Sequence, residues 1–328
     1  MNHIQPRTSL VQLIVLLPAL LLGACAPPLA ATEAAPPATE VAAAPTVATD
    51  LFINLVDGLG RSVHLDAPAQ RIISLAPSNT ELLFALGAGE QTVGRDAFSD
   101  YPAEAVDVTD IGDTYSGLNT EVIVSLEPDL VLAAEITPTE QVQELEDLGL
   151  TVYWLANPTT LEGLYENIAI VGELTGNEDA AETLAADLRA RAEAVAAVLE
   201  GIEERPTVFY ELDGSDPAAP WTVGEGTFID LLIELAGGIN IGAVMDSQYG
   251  QLSIEELLLQ DPDVILLGDA AFGVTPELVA ERAGWGDLSA VQNGQVYPFD
   301  DNLASRPGPR LIEGLEILAQ LLHPEAFQ

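Results

Sequence analysis

The chain has 328 residues, room for two domains of ordinary size, and 48% of it is apolar. Its 52 acidic residues face 10 basic ones, all arginine, for a formal net charge of −42. Such a surface repels phosphate backbones and anionic headgroups, which excludes nucleic acid as a partner and docking through a polybasic patch. One cysteine and three histidines exclude an internal disulfide and a zinc site of three or four nitrogen or sulfur ligands.

Residues 1–25 begin with a short polar segment carrying Arg7, followed by an apolar run from Leu10 to Leu22 and then Gly23-Ala24-Cys25. The run is too short to span a bilayer and ends in small residues, so it reads as an export signal. Its ending reads as a lipobox, with the sole cysteine, Cys25, as the lipid acceptor that anchors the protein to the membrane. Residues 26–49 are rich in Ala, Pro and Thr, cannot bury a core, and read as a tether.

Folded sequence begins near Leu51. Alternating apolar and polar residues around Asp57-Gly58-Leu59-Gly60 predict a hairpin. A buried strand is expected at Arg71–Leu75. Ser78 followed by Glu81 reads as a capping box opening a helix that ends near Gly87 or Gly89. In the second half, the strand Thr207–Tyr210 and a helix opened by Thr227 repeat that order.

A closer echo joins Leu118–Leu132, LNTEVIVSLEPDLVL, to Leu252–Leu266, LSIEELLLQDPDVIL. The two align without a gap at an offset of 134 residues, with Glu121 matching Glu255 and Pro128-Asp129 matching Pro262-Asp263. One unit repeated at half-chain distance predicts two similar lobes, an N-terminal one over 50–175 and a C-terminal one over 205–328. Between them, 176–204 predicts a connecting helix, with Glu178–Ile202 long enough to reach roughly 37 Å. The fold class expected is therefore α/β, two lobes with parallel central sheets flanked by helices.

Ligands of open parallel sheets bind at the carboxyl ends of the strands. The aromatics Phe98, Tyr115 and Trp221, set among Gly, Pro, Ser and Asp, read as loop residues of that edge and as a clamp for a large planar ligand. Arg306, in a polar turn before the last helix, is a candidate contact for a ligand carboxylate or amide. Glu121 and Glu255 stand in first helical turns, where the helix dipole favours an acid. As a pair on the rim they also suit two arginines of a partner. Trp154 and Trp285 read as packing, and His64 and His323 as surface residues.

The chain resembles the iron-siderophore, haem and cobalamin class of periplasmic binding proteins, class III, over about residues 70–325. The carriers are Arg71–Glu81, Phe98–Pro102, Leu118–Leu132 and Arg306–Arg310. Within the class it is most similar to cobalamin-binding receptors. The resemblance implies a monomer that feeds an ABC importer and captures cobalamin or a similar metal chelate between its lobes. It implies a corrinoid cleft lined at Phe98, Tyr115 and Trp221, with Arg306 in contact and a polar contact at Asp301 or Asn302. It also implies docking of Glu121 and Glu255 to arginines of the permease dimer. A haem or ferric-siderophore receptor of the same class remains open, with Tyr115 a possible haem ligand. An extracytoplasmic enzyme is the alternative from another class, though no G-x-S-x-G, histidine pair or P-loop is present.

Overall fold

The structure is a computed structural model that describes residues 52–328. The expected signal sequence, the lipid acceptor Cys25 and the tether lie outside the described residues. Among the described residues, no helix is long and apolar enough to cross a membrane.

Each lobe is built on a parallel sheet. The first has five strands in the order Thr109–Asp110, Thr92–Arg95, Ile72–Ser74, Leu130–Ala134 and Val152–Leu155. The second has four, in the order Ile239–Asn240, Thr207–Glu211, Val264–Leu267 and Val296–Pro298. Leu130–Ala134, Val152–Leu155 and Val264–Leu267 are buried at every position, as strands covered on both faces must be. The hairpin forms as expected, pairing Ile53–Val56 with Ser62–Leu65 in antiparallel register. The Asp57 carboxylate holds its turn by accepting from the Leu59 and Arg61 amides at 3.0 and 2.9 Å.

The helix Glu178–Leu199 joins the lobes. At 22 residues it spans about 33 Å. It stops three residues short of the expected end, ahead of Gly201 at φ +84°. Its buried Ala181, Leu188, Ala192 and Val195 lie in one apolar cluster with Ile72 and Leu130 of the first sheet and Val208 and Leu266 of the second. A connection embedded in a shared core cannot swing as a free linker does.

The echoed stretches fold alike. The helices Thr120–Ser125 and Ile254–Gln260 start at Asn119 and Ser253, whose side chains accept from the Val122 and Glu256 amides, each at 3.2 Å. Both helical segments are closed by a left-handed residue, Glu127 at φ +47° and Asp261 at φ +42°. Each stands directly before its proline, which disfavours helical backbone in the preceding residue. The aspartate after the proline ties down the first central strand of its lobe. Asp129 accepts from the Gln70 and Arg71 amides at 2.7 and 2.9 Å, and Asp263 accepts from the Thr207 amide at 2.8 Å.

The capping-box reading is corrected. The first helix is Pro77–Ala85 with Ala76 at its N-cap, so Ser78 lies inside it and caps nothing. Pro77 sets the start because its fixed φ suits the first helical position. Glu81 does not reach back to the helix start. It is 3% exposed and forms the core of an ion-pair cluster between the lobes. Arg310 grips it with two bonds, Nε to Oε2 at 2.7 Å and Nη2 to Oε1 at 2.6 Å. Arg306 donates Nη1 to Glu81 Oε1 at 3.1 Å and to the exposed Asp100 at 2.6 Å.

His323 is also corrected. It is buried, and Gly237 faces its ring so closely that a Cβ there would stand 2.6 Å from Nε2. Only glycine leaves that space.

Removing this buried carboxylate leaves Arg310 without a carboxylate partner and Arg306 with Asp100 alone. Glu81→Ala is expected to cost about 3–5 kcal/mol of stability in denaturant unfolding. Arg189→Ala, which breaks an exposed pair with Glu162, should leave the midpoint nearly unchanged.

Candidate functional site

The loops leaving the carboxyl ends of the two sheets meet, and the predicted ligand residues lie in or just beyond them. Phe98 follows the strand Thr92–Arg95, and Tyr115 follows Thr109–Asp110. Trp221 follows Thr207–Glu211, and Asn302 and Arg306 follow Val296–Pro298. The loop between strand end and helix start is where chain-end dipoles and unpaired backbone groups face solvent, so this edge is the site expected of open α/β sheets.

Aspartate side chains set the aromatic loops. Asp96 accepts from the Phe98 amide at 2.8 Å and the Ser99 hydroxyl at 2.6 Å, and burial raises its pKa. Asp113 accepts from the Tyr115 and Ser116 amides at 2.8 and 2.7 Å, which lowers its own pKa. Tyr115 thereby stands at the tip of a tight hairpin, Gly112–Asp113 paired with Gly117–Leu118. Phe98 and Tyr115 meet edge to face with ring centroids 6.2 Å apart. They are 53% and 73% exposed, a high price in apolar area unless something covers them.

Trp221 departs from the expectation of a loop. It opens the strand Trp221–Val223, paired antiparallel with Tyr249–Gln251, and its ring is still 43% exposed. The pairing supplies a residue the sequence reading missed. Tyr249, 45% exposed, sits on the partner strand. Burial raises its pKa most, with smaller contributions from Glu135 of the first lobe and Asp301 of the second. The only sequence signal for it was its place in Ser247-Gln248-Tyr249-Gly250, a polar turn like those around Phe98 and Tyr115.

The polar candidates are largely committed. Arg306 donates to Glu81, to Asp100 and to the Phe98 carbonyl at 3.3 Å. A ligand that binds Arg306 must displace Asp100 from it, since Glu81 is buried. Asn302 begins the short helix Asn302–Ser305, half-buried, its amide donating to Asp300 at 3.1 Å. Asp301 accepts from the Tyr210 hydroxyl at 2.7 Å, and burial raises its pKa. Glu121 and Glu255 are exposed in the first turns of their helices. Trp154 and Trp285 are buried, as read. Among the described residues, no group of three or more His, Cys, Asp or Glu is arranged to hold a metal ion.

Comparison with known proteins matches this architecture. The model of the periplasmic binding protein family matches residues 72–303. An uncharacterised ABC transporter substrate-binding lipoprotein of Bacillus subtilis, YvrC, is 31% identical over 284 residues, 85% of this chain and 88% of that one. The crystal structure of the periplasmic vitamin B12-binding protein BtuF of Vibrio cholerae superposes with a TM-score of 0.68 at 31% identity. That match covers 80% of this chain and 99% of that one. The periplasmic haem-binding protein RhuT of Roseiflexus sp. RS-1 gives a TM-score of 0.70 at 30% identity, covering 79% and 99%. The chain belongs to the periplasmic binding protein family, as an ABC-transporter substrate-binding protein of the class that includes B12-, haem- and iron-binding members.

Proposed function

We propose that the protein captures cobalamin or a related corrinoid between its lobes and delivers it to an ABC importer. The observation that carries this reading is the set of exposed aromatic rings, Phe98 and Tyr115 on loops of the first lobe and Trp221 on a short strand of the second, all beyond the carboxyl ends of the parallel strands. A corrin ring offers two broad apolar faces ringed by amides, and rings presented from both lobes suit such a body. Tyr249 joins the three named from sequence.

Haem is the second reading, favoured by the likeness to a haem-binding structure at 30% identity and by the exposed Tyr115 hydroxyl. Iron ligation needs the phenolate.

Titration of the purified protein with cyanocobalamin, followed by tryptophan fluorescence or equilibrium dialysis, tests the ligand. Saturable binding at micromolar concentration or tighter is expected, with Trp221→Ala and Phe98→Ala each weakening it about tenfold or more. Haemin binding in the absence of cyanocobalamin binding would contradict the corrinoid reading.

Docking belongs to the same proposal. Glu121 and Glu255, presented at matching places on the two lobes, engage arginines of the permease dimer, and lipid on Cys25 keeps the receptor at the membrane. The lipoprotein relative supports the anchor. The double variant Glu121→Ala/Glu255→Ala is expected to keep full ligand affinity and lose uptake, and Cys25→Ser to leave the membrane fraction. Loss of ligand affinity in the double variant would put those glutamates in the cleft instead.

A further inference from the structure

With ten arginines and no lysine, each cation in this chain is a scarce object, and the structure accounts for every described one. Arg61, Arg95, Arg189, Arg191, Arg282, Arg306 and Arg310 each face a carboxylate. Arg71 and Arg205 close on backbone carbonyls, Leu126 and Gly238. Among the described residues, therefore, no guanidinium is left without an internal acceptor. An anionic ligand would have to take a cation from a carboxylate, leaving that carboxylate bare beside the new negative charge.

The groups that remain at the cleft have the opposite sign. Asp100, Glu135 and Asp300 are exposed on loops that leave the carboxyl ends of the strands in both lobes. Of these, Asp100 is held by Arg306, whereas Glu135 and Asp300 accept only from backbone amides, of Asn157 at 2.9 Å and Asn302 at 3.1 Å. Asp301 lies behind Asp300, bonded to Tyr210. A mouth with aromatic faces and unneutralised carboxylates attracts positive charge and repels negative charge.

We infer that the cleft selects its ligand by charge, with Glu135 and Asp300 as specificity-determining residues that favour a cationic or neutral corrinoid and reject an anionic chelate. The inference rests on the corrinoid reading and adds the charge class to it. The same arrangement opposes carboxylate-bearing chelates such as haem, whose two propionates would enter a mouth without a free cation.

Three corrinoids of one shape and different charge provide the test: cationic aquocobalamin, neutral cyanocobalamin and an anionic cobalamin monocarboxylate. Dissociation constants measured at low and at high salt should rise in that order, with about threefold or more between successive members at low salt. The steps should shrink at high salt, where exposed charges are screened. Glu135→Gln/Asp300→Asn should compress the series while leaving cyanocobalamin binding within about twofold. That compression is a change that a structural role for either residue would not produce. Equal affinities for all three corrinoids in the unaltered protein would overturn charge selection and leave the corrinoid reading standing. Haemin bound in place of all three would overturn both.

Discussion

One carboxylate holds the two halves of this molecule in register. Glu81 sits in the first helix of the N-terminal lobe, almost wholly buried, and both of its oxygens are claimed by arginines of the C-terminal lobe. Burying a carboxylate is costly unless it is paired and fully bonded. The lobes must therefore stay in contact at this point for the fold to tolerate it. The surroundings are built for the contact: Arg310 also lies over the Tyr101 ring at 4.0 Å, and Gly308 passes close enough to the Ser78 carbonyl that a Cβ would stand 3.3 Å away. The turn Arg306–Arg310 acts as a clasp, fastened to the first helix on one side and to the last helix on the other.

The connecting helix is the second restraint. Arg189 bonds Glu162 of the helix before it, and Arg191 bonds Glu316 of the last helix. Its apolar face joins a core shared by both lobes. On the corrinoid reading, clasp and helix together fix the separation of the aromatic-bearing segments before any ligand arrives. A preformed site avoids the ordering cost that a large closure would impose, and it suits a rigid, bulky ligand. On the corrinoid reading, the acidic surface also sets, at the mouth, which ligand charges are tolerated.

Much of this was legible in the sequence because it is local. The echo of Leu118–Leu132 at Leu252–Leu266 announces two lobes, and it does so through residues whose work is structural: a cap, a helix stop, and an aspartate that holds the first strand of each sheet. The loop aromatics are legible because a ring among glycine, serine and aspartate has no core to enter. The clasp was not legible. Glu81 and Arg306 are 225 positions apart, and Ser78 stands at capping-box spacing before Glu81, so a local motif offered a competing and wrong explanation. His323 misled for a similar reason. A histidine near the chain end reads as exposed unless one knows that Gly237 makes room for it. Trp221 and Tyr249 came onto neighbouring strands only once Trp221–Val223 lined up against Tyr249–Gln251, with Trp221 opposite Gln251 and Val223 opposite Tyr249, a pairing that neither strand signals alone.

The central claim is that the lobes are fastened and the cleft exists before the ligand. Small-angle scattering of the free and the ligand-saturated protein tests it most directly. The account predicts superimposable profiles and an unchanged radius of gyration. A contraction on saturation, of the kind that accompanies hinge closure, would contradict it.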